Sequence, residues 1–560
     1  MRLSLVGKSF KIIPSPSYTM VLPKYDVVLT TDRSMMSNYH GKEFLGFVTT
    51  GPVFVSFGPF AKLSEWFHEF IAAPKMKTDR YGRPYQAPYG MRKIEAALLD
   101  AGINAAIIDP DHVHKYIPTA KVLMLSHHDY FGLNPPSSTW SAIVGREPLN
   151  AYLFRKFMMR IRPYVMEAKE RNGLKVVVGG PSAWQWLYLP ELMSFFGVDV
   201  VFDGEGEKLV VDLVKRILNN EPVPRYVYVG VNDVPSIDEI PTIKYPAVNG
   251  FVEIGRGCPR GCAFCSVTLR PLRWYPLDKI EEELKLHVRH GVVHGLIHSD
   301  DVPLYGSVGV ELNPDKLIKL HQLVKRYYLT MAWSHTTLGS VLNAEKRYNK
   351  LASKIAEIIE DEHQEWWGAQ VGLETGSRRL ARSIMPGKAA PFKIEDWWDV
   401  VEESLAIMHE IKLIPALTVI VGLPGETADD VMETIELLDR IKPYRSLVVP
   451  MFYVPMNHIR AEKDGWIVKY NLIPEHIELL KKMFEHSVYW AKDIVNHFYL
   501  KGPQYWPVRA AVNYFISYVE KRVRKLYDRL DEIAAEIKVR RLESKVEAPK
   551  LMELITSKNL

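Results

Sequence analysis

Two runs of strand–helix alternation predict an α/β protein with parallel sheets, followed by a helical C-terminal region. The first run has short, uniformly apolar strands such as Lys175-Val176-Val177-Val178-Gly179-Gly180, the pattern of a sheet covered on both faces. The second run, from residue 250, is longer and more regular, and suits parallel strands closing towards a barrel. Composition permits this. Of 560 residues 47% are hydrophobic and 24% charged, while 34 Gly and 37 Pro exclude a collagen-like or low-complexity chain.

In chain order, residues 1–90 read as an irregular N-terminal extension with β-like runs at 25–30 and 54–57. Residues 91–230 form the first α/β domain, with helices at 94–101 and 151–171 and strands at 104–108, 121–125, 175–180 and 198–202. Residues 231–249, rich in Pro and polar side chains, read as a linker. Residues 250–465 carry the barrel and 466–560 a helical C-terminal domain. A net charge of +5 is too small for an obligate nucleic-acid binder, so no such partner is expected. The best apolar run, Leu413 to Gly425, is shorter than a membrane span and holds two prolines. The start, Met1-Arg2-Leu3-Ser4-Leu5-Val6-Gly7-Lys8, has no secretion pattern, which makes a cytoplasmic protein the expectation.

All three cysteines fall within Cys258-Pro259-Arg260-Gly261-Cys262-Ala263-Phe264-Cys265, too few for a disulfide framework. Three thiolates are one short of closing a [4Fe–4S] cluster, which leaves one iron open to a non-protein ligand. Zinc or free thiols are the alternatives, but zinc prefers four protein ligands and no His stands at suitable spacing. The three-then-two spacing, with Phe264 before the last cysteine, resembles the signature of the radical S-adenosylmethionine (SAM) superfamily. The lead-in Glu253-Ile254-Gly255-Arg256-Gly257 resembles that of its cobalamin-domain branch. The resemblance implies a partial (β/α)6 radical SAM barrel and a cluster on Cys258, Cys262 and Cys265. It also implies SAM on the open iron and an external electron donor. Reductive cleavage of SAM would then yield a 5′-deoxyadenosyl radical that abstracts hydrogen.

Later strand ends resemble the same family. Gly295-Leu296-Ile297-His298-Ser299-Asp300-Asp301 places Ser299, Asp300 and Asp301 where the SAM ammonium is met, with a solvated turn as the alternative. Ala332-Trp333-Ser334-His335-Thr336 reads as the third strand, with His335 as a structural or substrate-pocket residue. In Gln370-Val371-Gly372-Leu373-Glu374-Thr375, Glu374 is the expected ribose ligand, against a buried structural Glu. The run Ala416 to Thr427 resembles the fifth-strand segment, whose backbone at Gly422 and Leu423 lies beside adenine, while Glu426 and Thr427 are expected to cap the next helix. Phe264 completes the expected SAM pocket.

Upstream, Tyr89 to Leu99 resembles the first helix of the Rossmann-like cobalamin-binding domain found before many radical SAM barrels. Gly179, Gly180 and Pro181, with Gly204, Glu205 and Gly206, stand in the places of its two late loops, where glycines suit passage of a nucleotide tail. No Asp-x-His-x-x-Gly signature for axial ligation is present, and its nearest counterpart is His127-His128-Asp129, in a different order. His128 and Asp129 are therefore carried as candidate cobalamin contacts. Bound cobalamin stands against a domain retained for architecture or substrate binding.

The cluster motif uses every cysteine, so no auxiliary cluster is expected. That disfavours methylthiotransferases and leaves carbon methylation or carbon-skeleton chemistry. Leu29 to Tyr39 resembles archaeal cobalamin-domain proteins similar to tetraether-lipid (GDGT) ring synthases. The leading expectation is thus functionalisation of sp³ carbons in a large apolar substrate, an archaeal membrane lipid. The alternative is a cobalamin-dependent C-methyltransferase, and a non-catalytic binding protein is a third reading. Val519, Val523, Leu526, Leu530, Ile533 and Ile537 form an apolar helical stripe flanked by basic residues. It suits packing on its own domain or a second subunit, or peripheral contact with a membrane.

Overall fold

The computed structural model describes residues 21–37, 73–144, 147–454 and 473–540. Six parallel strands form the first sheet: β1 (Val27–Thr30), β2 (Ala105–Ile107), β3 (Val122–Ser126), β4 (Lys175–Gly179), β5 (Val200–Asp203) and β6 (Tyr226–Tyr228). Their order is β2-β1-β3-β4-β5-β6. Successive side chains point to opposite faces, so Val28, Leu123 and Val176 enter one core while Val27, Val122 and Val177 enter another. Helix Leu149–Asn172 covers the first face through Phe154, Phe157 and Ile161. Helices Tyr89–Asp100 and Leu209–Leu218 cover the second through Met91, Leu98 and Leu213. The strand order reverses between β1 and β3, and an open sheet binds ligands beyond the C-terminal strand ends at such a point.

Residues 91–230 do not make a complete domain, because β1 lies inside the sheet with Val28 paired to both Ala106 and Leu123. The β-like run at 25–30 forms this strand, and its pairing partners decide which unit it joins. The 231–249 linker is packed rather than free: Ile240, Ile243 and Ala247 are buried. Lys93 Nζ donates to the Pro241 carbonyl at 2.7 Å and Arg92 Nε to that of Pro246 at 3.1 Å. The β-like run at 54–57 lies outside the described residues.

The second unit begins with β7 (Phe251–Glu253) and the antiparallel pair β8 (Gly255–Arg256) and β9 (Arg273–Trp274). Parallel strands β10 (His294–His298), β11 (Thr330–Trp333), β12 (His335–Thr336), β13 (Trp367–Glu374), β14 (Leu413–Val421) and β15 (Leu447–Phe452) continue it. Ser334 joins β11 and β12 into one kinked strand, its N–H donating to Ile297 and its carbonyl accepting from the Gln370 N–H, both at 3.0 Å. The order is then β7-β10-β11/β12-β13-β14-β15, a partial (β/α)6 barrel. Helix Pro474–Ile494 places Ile477, Leu479 and Met483 in the barrel core. It therefore belongs to the barrel, and the boundary expected at 466 moves beyond it, because a sixth strand needs a covering helix. Helix Trp506–Arg540 packs on it, with Ile516 buried and Val519 and Val523 half-buried. The stripe's side chains from Leu526 onward, Tyr527 apart, lie outside the described residues. No helix among the described residues is long and apolar enough to cross a membrane.

Candidate active site

The cysteine loop leaves β8 through Gly257, whose φ of +89° and the Pro271 carbonyl 2.5 Å from a would-be Cβ leave room for no side chain. Cys258, Cys262 and Cys265 are all free thiols. Burial pushes each thiol up, Cys258 to about 12, while Lys388 and Arg260 pull the other way. Among the described residues no group of three His, Cys, Asp or Glu side chains could hold a single metal ion. Three thiols beside two buried cations suit an anionic cluster whose cysteines each take a different iron.

Arg260, inside the loop, was not singled out from the sequence, and it organises the loop. Its Nε donates to Asp301 Oδ2 at 3.2 Å, and Nη1 donates to the carbonyls of Gly387, Lys388 and Ala390 at 3.0, 2.9 and 2.9 Å. Nη2 donates to Ser340 Oγ at 2.6 Å. Gly387 has to be glycine, since a Cβ there would stand 2.3 Å from the Arg260 carbonyl.

Asp301 is held as a structural anchor. Besides Arg260, its oxygens accept from Thr337 N at 3.2 Å, Thr337 Oγ1 at 2.7 Å and Ser340 Oγ at 2.7 Å. With that from Arg260, three of these bonds fall on Oδ2, and Oδ1 also accepts from Thr336 Oγ1 at 3.4 Å, so both oxygens are engaged within the barrel. Asp300 differs. It accepts from the Gly257 N–H at 3.0 Å through Oδ2, and burial raises its pKa. The adjacent Ser299 Oγ is buried without a partner. An orphaned hydroxyl and a half-engaged carboxyl at the end of β10, beside the cysteine loop, fit the amine end of SAM. His335 Nδ1 is likewise buried and unpartnered, and burial holds this imidazole neutral with a pKa of about 3.

Glu374 has a φ of +66° at a register shift in β13. Its Oε1 accepts from Lys388 Nζ at 3.1 Å and its Oε2 from Thr418 Oγ1 at 3.2 Å. A Cβ on Gly372 would lie 1.9 Å from Glu374 Oε1, so that glycine makes room for the pair. Although burial works against its charge, Lys388 is held protonated by Glu374 and Cys262. No sequence signal marked Lys388. Phe264 and Leu423 belong to one apolar cluster with Leu380 and Ile420, a wall suited to a flat base. The Gly422 and Leu423 N–H groups donate to Glu426 Oε2 at 2.7 and 3.2 Å, which leaves only their other backbone atoms for a ligand. Glu426 is thus not a helix cap; its Oε2 also accepts from buried His476 Nε2 at 2.7 Å. Thr427 is the cap, in a reciprocal arrangement with Asp430.

In the upstream domain, Thr31 Oγ1 just beyond β1 is buried without a partner at the switch point. Gly180, with φ of +85°, brings the β4 loop against Ser126 Oγ, 2.6 Å from a would-be Cβ. Gly179 precedes it on β4, and Pro181 is exposed. An open edge with a vacant hydroxyl and a close-packed glycine loop fits a nucleotide-tailed group such as cobalamin. His128 stacks on His127 at 5.0 Å, and burial lowers its pKa to about 4, so its ring is neutral. Asp129 serves as a loop anchor: its carboxylate accepts from Asn134 N, Asn150 Nδ2 and Gln185 Nε2. Glu205 is engaged by arginines of the barrel unit. It accepts from Arg256 Nη1 and Arg273 Nη2, both at 2.7 Å, and Glu207 accepts from Arg256 Nη2 at 2.6 Å. Gly204 and Gly206 pack close to Val229 and Ile94 of their own unit, while Glu205 and Glu207 tie this loop to the barrel through Arg256 and Arg273. Nearer the barrel mouth, Trp184 and Leu133 pack against Val454 beyond β15.

Residues 252–438 match the radical SAM superfamily. An uncharacterized methyltransferase of Pyrococcus horikoshii is 26% identical over 298 residues, 48% of this chain and 58% of its own length. A ribosomal protein uS12 methylthiotransferase of Petrotoga mobilis is 26% identical over 241 residues, 41% of this chain and 48% of its own. The chain spans about half the length of the curated relatives it matches. Two structures of TsrM, a radical SAM methyltransferase from Kitasatospora setae, overlap at a TM-score of 0.48. They are 12% and 13% identical, over 77% of this chain and 75% and 77% of theirs. One holds tryptophan and a SAM analogue, the other cobalamin and a [4Fe–4S] cluster.

Proposed function

We propose, from a chain whose residues 252–438 form a radical SAM domain, that this protein is a cobalamin-dependent radical SAM C-methyltransferase. The observation that carries the reading is the docking of the two α/β units. Arg256, two residues before Cys258, binds Glu205 and Glu207 of the upstream domain at 2.7 and 2.6 Å, and Trp184 meets Val454 at the barrel rim. A carrier bound beyond the upstream strand ends would therefore face the mouth of the barrel. When bound, the cluster with SAM supplies one-electron cleavage and cobalamin a transferable methyl group.

The chain's own residues hold and shield these groups. Cys258, Cys262 and Cys265 would ligate the cluster, and Arg260 fixes their loop through Asp301. Ser299 and Asp300 would receive the SAM amine, and Glu374 its ribose on exchanging a bond with Lys388 or Thr418. Phe264 and Leu423 would flank adenine. The surrounding buried side chains exclude water from reactive intermediates.

A second reading, carbon–carbon ring closure within a membrane-lipid chain, draws support from the exposed aromatics of helix Trp506–Arg540. Reconstituted protein incubated with methyl-labelled SAM and an archaeal lipid extract separates the two. Methyl transfer puts label into a product and yields S-adenosylhomocysteine beside 5′-deoxyadenosine. Ring closure yields deoxyadenosine and an unlabelled lipid lacking a pair of hydrogens for each ring. A Cys258→Ala/Cys262→Ala/Cys265→Ala variant that still carried a cluster and cleaved SAM would defeat both readings.

A further inference from the structure

Helix Trp506–Arg540 lies on helix Pro474–Ile494 by one side only. The contact is fixed by the ion pairs Lys492–Glu520 at 2.8 Å and Glu485–Arg524 at 3.3 Å, and Tyr527 packs on the cluster that holds Leu479 and Met483. On the outer side Trp506 is 66% and Tyr514 75% exposed, with Phe515 and Tyr518 also exposed. Eight of the eighteen exposed large apolar side chains among the described residues fall between Tyr489 and Tyr518, so this is a concentration and not scatter.

The pattern has direction. Tyr514, Tyr518, Lys521 and Lys525 are four, three and four residues apart, which at about 3.6 residues per turn sets them in one narrow arc. Phe515 and Arg522 lie beside it, and Arg522 Nε donates to the Tyr518 hydroxyl at 3.1 Å. Neither Lys521 nor Lys525 forms an ion pair among the described residues. One face thus runs from aromatic rings to unpaired cations.

We infer that this face rests on an anionic lipid bilayer. The ring types argue for it. Tyr and Trp have an apolar body and a polar tip, the chemistry of a headgroup boundary. The charge argues the same way, since lysines and an arginine meet lipid phosphates but repel a second copy docked in parallel. The inference is independent of which reaction the barrel performs.

The full chain is tested by sedimentation with vesicles of phosphatidylcholine alone and of phosphatidylcholine with phosphatidylglycerol. Wild type pellets with the anionic vesicles, and added salt releases it. Lys521→Glu/Lys525→Glu lowers the partition constant by more than about tenfold. Tyr514→Ser/Tyr518→Ser lowers it as well. Both variants keep the wild-type circular dichroism and elution volume. Equal binding to neutral vesicles, or binding that neither variant alters, overturns the inference. So does light scattering that finds a dimer which both variants split, because the face then belongs to a second copy.

Discussion

Arg260 and Asp301 form an ion pair at 3.2 Å with both side chains almost sealed from solvent, and it ties the cysteine loop to the end of β10. Arg260 also spans to Ser340 and to three carbonyls in the 387–390 segment. The loop's position relative to three other parts of the barrel thus depends on one guanidinium.

Removing Arg260 leaves Asp301 buried without its countercharge. Arg260→Ala is expected to lower stability by about 3–5 kcal/mol, measured by urea unfolding. Arg260→Lys is expected to recover little, since an ammonium cannot reach all these acceptors at once. Iron retained after reconstitution should fall in both.

Glu374→Ala is expected to weaken SAM binding by about 1.5–3 kcal/mol with iron content unchanged, read by calorimetry on reconstituted protein. Gly372→Ala, whose Cβ would collide with the Glu374–Lys388 pair, should lower affinity in the same direction. Asp301→Ala is expected instead to destabilise the fold.

Arg256 is the cation among Glu205, Glu207 and Glu253. Arg256→Ala should expose residues 204–207 to amide hydrogen exchange and cost about 3–5 kcal/mol in denaturant. An unchanged exchange rate there would show that the domains are held together by other contacts.

Burial works against the charge of Asp32, yet its bonds from His127 and nearby groups bring its pKa down to about 2. A depressed carboxyl contributes stability above its unfolded pKa of about 3.9 and loses it as pH falls through the folded value. The pair should therefore contribute about 2 kcal/mol at pH 7 and fade between about pH 4 and 2. Acid unfolding of wild type against Asp32→Asn measures that difference.

What the sequence by itself determined was local. Three cysteines within eight residues, apolar strand runs and the glycine turns need only near neighbours to declare themselves. The cluster loop, the two α/β units and most strands could be read for that reason. The tertiary structure alone decided which charged groups remain available. Asp300 and Asp301 are adjacent in sequence, yet one keeps capacity for a ligand while the other is consumed by Arg260, 41 residues away. Glu205 is consumed by an arginine 51 residues away, and Lys388 meets the cluster loop only because its segment folds over the barrel mouth. β1 joins the sheet 78 residues before its partner β2. Hydrogen-bond capacity is finite, and which partner claims it depends on distances between remote segments that no local pattern encodes.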